Sequence, residues 1–267
     1  MTIASPLPEF LPLVRAPLCV AHRGASGVAP ENTLVAVRAA IAAGADCVEI
    51  DVCRTTDRAL VLHHDPTLTR TTNVQKVYPD RAPWRVSDFT LAELSRLEAG
   101  GWLSPAYTGE PVPTLERVLD TLCGSRVGLL LELKGPREQP GIVAELASEL
   151  RFQSARPDAP RVLVQSFDHE AMALFKSYEP GFDVGLIGKP RRGRLSEVAT
   201  WATAVNPNHN SVEAGYVEAV RAAGMRCMTW TPNSVRAMRR ALGLGVDAIT
   251  TDHPARLRAL LPVTADA

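Results

Sequence analysis

Excess charge of either sign is missing from this 267-residue chain: 29 Lys and Arg stand against 29 Asp and Glu. A protein that holds nucleic acid through its phosphates carries a basic surplus, so no nucleic-acid partner is expected. Long apolar runs are missing too. None approaches 18 residues, which argues against a transmembrane helix and against stable membrane insertion. The opening stretch MTIASPLPEFLPLVRAP is broken by four prolines and has no basic residue before Arg15, unlike a secretory signal. No G-x-G-x-x-G or Walker motif follows any apolar run, which disfavours a nucleotide-binding fold. Cysteines number five, with no C-x-x-C pair. Cys19, Cys47, Cys53, Cys123 and Cys227 read as free, mostly buried thiols of a reducing, cytoplasmic setting, too far apart for a zinc site.

What is present is an alternation. Short β-branched runs begin near residues 18, 47, 127, 161, 182, 202, 226 and 246. Helical patterns fill most of the gaps: 30–44, 114–123, 140–150, 169–177, 195–201, 212–223 and 234–243. Strand–helix alternation of this kind means parallel strands joined by crossover helices. Eight such units in about 250 residues favour a closed (β/α)8 barrel over an open doubly wound sheet. ALVLHH (59–64) follows CVEIDV too closely for a crossover helix and reads as the return arm of a hairpin. Residues 66–112 break the rhythm and read as a small insertion over the barrel mouth, within one domain spanning 1–267.

Chemistry in such a barrel sits at the C-terminal ends of the strands, and the polar residues gather there. Glu49 and Asp51 share one face of their strand across Ile50; Glu132 and Lys134 do the same across Leu133. Three carboxylates converging inside the mouth would repel one another. A hard divalent cation, Mg²⁺ or Ca²⁺, removes that penalty and suits all-oxygen ligation. The hairpin, turning at Asp57–Arg58, is expected to set His64 opposite Asp51, with His22 at the neighbouring strand end. Two imidazoles beside a metal suit phosphodiester cleavage, one as base and one as acid, and Arg23 and Lys134 can hold phosphate oxygens. His63, His169, His209 and His253 are expected to pack or face solvent.

The stretches AHRGASGVAPENTLVAVRAAIAAGADCVEIDV, LVLHHDPTLTRTT, LELK, QSF, TWTPN and DAITTDHP together resemble the glycerophosphodiester phosphodiesterase family. The likeness covers about residues 18–254, and the insertion's TLAELSRLEAGGWLSPAYTGEPVPTLERVL fits it as well. It implies a TIM barrel and metal-dependent hydrolysis of a small-molecule glycerophosphodiester to glycerol 3-phosphate and an alcohol, with one Mg²⁺ or Ca²⁺. By the resemblance, His22 and His64 match the acid/base pair, and Glu49, Asp51 and Glu132 the metal ligands. Arg23 and Lys134 match the phosphate contacts, Glu31 and Asn32 the site support, and Phe167 and Trp230 apolar walls near glycerol or leaving group.

Two positions depart from the pattern: His63 stands where an apolar residue is usual, and the turn Thr56-Asp57-Arg58 lacks the usual glycine. The basic stretch GKPRRGR (188–194) matches no family motif and reads as a solvated loop. The expected route passes through a cyclic phosphate. A rival reading is lysophospholipase D activity, with an acyl chain beneath Trp84, Phe89, Leu91 and Trp102. A phosphodiester-binding protein without turnover is a more distant rival. No signal in the sequence sets the alcohol, the choice of ion, the base among the two histidines, or the oligomeric state.

Overall fold

The computed structural model describes residues 17–262; the stretch read against a secretory signal lies almost wholly outside them. The barrel strands are β1 (Leu18–Ala21), β2 (Cys47–Arg54), β4 (Gly128–Leu133), β5 (Val162–Ser166), β6 (Asp183–Ile187), β7 (Ala204–Asn206), β8 (Arg226–Trp230) and β9 (Ala248–Thr251). They lie parallel in the order β1-β9-β8-β7-β6-β5-β4-β2, and β2 pairs back onto β1, closing an eight-stranded barrel. β3 (Leu60–Leu62) is the hairpin arm, antiparallel on β2. Helices α1 (Leu34–Ala42), α4 (Leu115–Leu122), α5 (Ile142–Ser154), α6 (His169–Tyr178), α7 (Leu195–Val198), α8 (Ala214–Ala222), α9 (Val235–Gly243) and α10 (Pro254–Arg258) follow or connect the barrel strands. The insertion holds the single-turn helices α2 (Val74–Val77) and α3 (Leu91–Leu94).

Helix starts are written into the sequence. Thr33, Thr90, Thr114, Asp168 and Ser234 each accept a hydrogen bond from a first-turn N–H, and Thr90 with Glu93 completes a capping box. Strand residues alternate between two apolar environments. Cys47, Leu130, Leu163, Ala204, Met228 and Ala248 point into the barrel and plug its lower half with Leu18 and Val20. Their neighbours Val48, Ile50, Leu129, Leu131, Val164, Val205 and Ile249 face the helices. Burying a side chain of this size contributes roughly 1.5–3 kcal/mol, so each polar residue displaced upward from the plug leaves the core intact.

The insertion builds a third cluster, in which Phe89, Leu68, Leu94 and Val74 are fully buried and Trp84 and Leu91 pack against them. The cluster continues onto Cys53 and Val61 of the hairpin. Of the residues considered as a cover for an acyl chain, Phe89, Trp84 and Leu91 thus belong to this packing, and Trp102 remains 40% exposed.

The hairpin register differs by one residue from expectation. Val52 pairs with Leu62, and His63 N donates to Asp51 O at 3.1 Å, so Asp51 faces His63 rather than His64. The reason is the turn: Thr55 and Ala59 close it, with Arg58 at φ 70°, a left-handed position that glycine takes without strain. A non-glycine residue there costs roughly 1–2 kcal/mol. Arg58 offsets part of this through an exposed ion pair to Glu145. Arg58→Gly is expected to stabilise the protein by up to about 1 kcal/mol after glycine's own entropy cost. A thermal melt checks this, and a clear drop in melting temperature would mean that the ion pair dominates.

Candidate active site

The inward rows turn polar one step above the plug. Continuing the two-residue period, Val20 leads to His22, Cys47 to Glu49 and Asp51, and Leu130 to Glu132 and Lys134. Leu163 leads to Gln165 and Phe167, Ala204 to Asn206, Met228 to Trp230, and Ala248 to Thr250 and Asp252. Most of these line one pocket of about 110 Å³ at the C-terminal end of the barrel. His22, Arg23, Glu49, His64, Glu132 and Lys134 form one side of it; Phe167 and Trp230 form the opposite rim, their rings 6.1 Å apart edge to face.

The local motifs have mechanical reasons. After His22 the chain turns sharply: Arg23 sits at φ 54° and Gly24 at φ 82°, and Arg23 N donates to Glu49 Oε2 at 2.9 Å. A Cβ on Gly24 would lie 2.6 Å from Ala36 of α1, so the loop can seat on the helix only without one. Asn32, at φ 56°, grips Asp51 twice: its Nδ2 donates to Asp51 Oδ2 at 2.8 Å and its Oδ1 accepts from Asp51 N at 3.1 Å. Thr33 then caps α1. Glu31 accepts from Arg23 Nη1 at 2.8 Å, which aims the guanidinium across the acids.

Glu49, Asp51 and Glu132 are all buried, and each offers an oxygen within 4.8 Å of the others. Their titration shows the strain of that arrangement. Burial first, then the charge of Asp51, pushes the Glu49 carboxyl up to about 8. Glu132 is raised for the same reasons, against the pull of Lys134. Burial works to raise Asp51 as well, but Arg23, Lys134 and His64 hold it below the ordinary carboxylate range. Lys134 Nζ lies 2.7 Å from Glu132 Oε1 but 3.5 Å from Asp51 Oδ1, and Asp51 Oδ1 has no hydrogen bond. Arg23 Nε, 3.2 Å from Asp51 Oδ2, points off the hydrogen-bond direction and is likewise unsatisfied. A buried orphan carboxylate oxygen among three converging acids is what a hard divalent cation would satisfy. The three acids could hold one.

Both pocket histidines are backed by carboxylates. His22 Nδ1 is 2.6 Å from Asp252 Oδ1, and Asp252 is itself held by Ser26 Oγ at 3.1 Å and Asn233 Nδ2 at 2.5 Å. His64 Nδ1 is 2.6 Å from Asp65 Oδ1. Asp65 accepts from Arg70 Nε at 2.6 Å, and Arg70 forks onto Glu31 at 2.7 and 2.8 Å. A chain of alternating charge therefore runs Asp65–Arg70–Glu31–Arg23–Asp51, with His64 hydrogen-bonded at its Asp65 end.

Burial opposes ionisation of Asp65 and Asp252, but Arg70 and His64 lower the first and His22 and Asn233 lower the second. Ionised carboxylates only accept, so both Nδ1 atoms carry protons and both Nε2 atoms are left free. The two rings titrate in opposite directions. Burial disfavours protonated His22, yet the Asp252 hydrogen bond and the Glu49 charge overcome it and raise its pKa. For His64 burial prevails, helped by Arg23 and Lys134 against Asp51 and Asp65, and its pKa is lowered.

The structure thus brings together all eleven residues singled out from the sequence: eight line the pocket, and Glu31, Asn32 and Asp51 sit directly behind it. His63 is buried, its Nε2 2.9 Å from Thr67 O; His169, His209 and His253 do not line the pocket. The basic stretch continues from Ile187 on the rim, with Lys189 and Arg192 facing Glu213 and Arg194 facing Glu197.

Sequence reasoning placed Asp65, Gln165 and Asp252 at strand ends without giving them a role, and missed Arg70, Asn233, Asn206 and Thr250. Thr250 was findable, because the two-residue period from Ala248 reaches it. Arg70 carries no such signal.

The family model for the glycerophosphoryl diester phosphodiesterase family matches residues 22–256. The glycerophosphodiester phosphodiesterase of Bacillus subtilis (strain 168) is 31% identical over 254 residues, covering 89% of this chain and 84% of its own. A solved Oleispira antarctica phosphodiesterase, in complex with the product sn-glycerol-3-phosphate, superposes with a TM-score of 0.80 at 29% identity, over 91% of this chain and 96% of that one. The solved Agrobacterium tumefaciens (str. C58) glycerophosphodiester phosphodiesterase gives 0.76 at 30% identity, over 91% and 99%. With a match over nearly its whole length, the chain belongs to the glycerophosphoryl diester phosphodiesterase family, whose members are phosphoric diester hydrolases.

Proposed function

We propose that this protein hydrolyses glycerophosphodiesters to glycerol 3-phosphate and an alcohol, with Mg²⁺ or Ca²⁺ held by Glu49, Asp51 and Glu132. The carrying observation is three buried acids beside two imidazoles, each imidazole tied at Nδ1 to a carboxylate. An ion held by these three acids would supply positive charge to stabilise the phosphoryl oxygens.

The chain's own residues do the rest. Arg23 and Lys134 hold phosphoryl oxygens. The lowered pKa of His64 leaves its Nε2 free to take the proton of the glycerol 2-hydroxyl, which attacks phosphorus. The raised pKa of His22 lets its Nε2 give a proton to the departing alcohol. A five-membered cyclic phosphate results, with little entropy lost because the hydroxyl is already in place. Water then adds from the side the alcohol left: His22, now neutral, takes the water's proton, and His64 returns one to the 2-oxygen. Glu31 and Asn32 keep Arg23 and Asp51 in register, and Phe167 and Trp230 border the departing alcohol. The five free cysteines, four of them buried, fit a cytoplasmic setting.

The direct test is choline or ethanolamine release from the glycerophosphodiesters, with EDTA, Mg²⁺ and Ca²⁺ in parallel. Metal-dependent release is expected, with no turnover of a 2-deoxy substrate. Normal turnover of that analogue would remove the cyclic route. A second expectation concerns pH. Activity needs His64 neutral and His22 protonated, so its acid limb follows His64 and its alkaline limb follows His22. Asp252→Asn takes away the group that raises His22, so the alkaline limb should move to lower pH. Arg70→Gln removes the positive charge that holds Asp65, so Asp65 acts more strongly on His64 and the acid limb should move to higher pH. Each change should also cost about 10–100-fold in kcat, the range for partners that orient a working group. Unmoved limbs in both variants would remove the acid and base assignments.

A further inference from the structure

The ladder between β2 and β4 breaks off just above the three acids, and a side chain fills the break. Asp51 pairs with Glu132 and Val52 with Leu133, and Lys134 N still donates to Val52 O at 2.9 Å. Parallel strands continue such a register with evenly spaced bonds, so the next rung would run from Arg54 N to Lys134 O. The amide of Gln139 stands there instead. Arg54 N donates to Gln139 Oε1 at 2.7 Å, and Gln139 Nε2 donates to Lys134 O at 2.7 Å. The same Nε2 reaches Gly135 O at 3.3 Å. These partners fix which way the amide faces, since a backbone N–H only donates and a carbonyl only accepts. Two hydrogen bonds and the width of an amide thus replace one rung of about 2.9 Å.

The wedge is clamped from outside the pocket. Arg54 Nη1 donates to Pro140 O at 3.0 Å and to the two oxygens of Glu145 at 2.8 and 2.9 Å, which ties the hairpin to the first turn of α5. Inside, the consequence falls on Lys134. Its Nζ lies 2.7 Å from Glu132 Oε1 on its own strand but 3.5 Å from Asp51 Oδ1 across the widened gap. Asp51 Oδ1 is one of four buried side-chain polar atoms without a hydrogen-bond partner among the described residues, the others being Arg23 Nε, Asn206 Oδ1 and Thr250 Oγ1. A buried carboxylate oxygen is costly to leave unpaired, and an ammonium stands less than 1 Å short of pairing it. The spacing of the two strands holds it off.

We propose that Gln139 is a positioning residue: its amide keeps Lys134 away from Asp51 and so leaves Asp51 Oδ1 open to the divalent cation. This rests on the reading of Glu49, Asp51 and Glu132 as the metal site. Without the glutamine side chain, Arg54 N and Lys134 O are free to bond directly. The strand ends then draw together, Nζ closes on Asp51 Oδ1, and the ammonium competes with the ion for that oxygen. The harm done by losing Gln139 therefore passes through the Lys134 charge.

The test is a calorimetric titration of the metal-free protein with Mg²⁺ or Ca²⁺ alone, in four proteins: wild type, Gln139→Ala, Lys134→Met and the double variant. Gln139→Ala should weaken binding about 10-fold or more, the lower end of the range for groups that orient metal ligands. In the Lys134→Met background the same change should shift the dissociation constant less than twofold, because the competing ammonium is gone. Gln139 is only half-buried in a loop, so the fold should survive. Should the alanine variant not fold, Gln139→Glu takes its place. It keeps an acceptor for Arg54 N but has no hydrogen for Lys134 O, and its added charge counts in both lysine backgrounds and cancels between them. Unchanged affinity in Gln139→Ala would overturn the proposal. Equal losses with and without Lys134 would overturn it too, as the mark of a general loosening. Wild type that binds neither ion would instead sink the metal reading, and the proposal with it.

Discussion

Replacing His64 by alanine is expected to lower kcat by about three to four orders of magnitude with the fold intact, the upper range for removing a positioned acid or base. The ring is partly open to the pocket, and among the described residues its one side-chain hydrogen bond is to Asp65, which Arg70 continues to hold. Little packing is lost, so circular dichroism and melting temperature should stay near wild type. His22→Ala should cost a similar factor. The double variant should cost little more than either single one, because the two rings act on one proton inventory and their effects do not add. Single-turnover kinetics would separate the steps: loss of His22 should slow alcohol release most, and good leaving groups such as p-nitrophenol should recover much of it. Loss of His64 should not be recovered that way. Losses under tenfold at both positions would end the acid/base assignment.

Glu49→Gln should separate activity from stability in the opposite sense. Activity should fall about 1000-fold or more, because one ligand of the cation and its charge are gone. Metal-free stability should rise. In the folded, metal-free protein Glu49 keeps its proton up to about 8, whereas an unfolded glutamate releases it near 4.3. Between those values the folded state binds more protons, so its stability declines as pH climbs and the loss is complete only above 8. The stability is therefore fullest at acid pH, opposite to a salt-bridged carboxylate. Glutamine has no such slope.

Denaturant melts at pH 5 and pH 8 in EDTA should show wild type losing stability across the interval and Glu49→Gln losing less, because only Glu132 of the two raised carboxyls remains. Millimolar Mg²⁺ or Ca²⁺ should restore wild type at pH 8 by mass action and leave the variant unchanged. A wild-type melting temperature indifferent to both ions would refute the metal site, whatever the activity. Glu132→Gln should behave alike but frees Lys134 from its closest partner, so its gain should be smaller.

The chain alone determined the barrel and most of its working rim. Its two-residue period is local: once Cys47 is assigned inward, Glu49 and Asp51 follow, and Leu130 brings Glu132 and Lys134 by the same rule. The Thr33 cap was equally legible, because it is a demand made within one helical turn, whereas Gly24, pressed against Ala36, and the left-handed Asn32, which holds Asp51, were legible only through the family motifs they belong to.

Periodicity names the face of a strand, not its neighbour, and there the sequence ran out. Asp252 reaches His22 across 230 residues only because β9 closes onto β1. Arg70 comes from an irregular insertion without a period to read, yet it joins Asp65 to Glu31. The hairpin slipped by one residue from expectation because Arg58 adopts a turn geometry that its side chain does not advertise. The unsatisfied oxygens of Asn206 and Thr250 are invisible in any linear pattern, since an atom is an orphan only relative to everything folded around it. Which polar groups line the mouth is thus a matter of strand phase, and the chain carries that. Which of them are paired, charged or left without a partner depends on contacts between strands far apart in sequence, and those exist only once the barrel has closed.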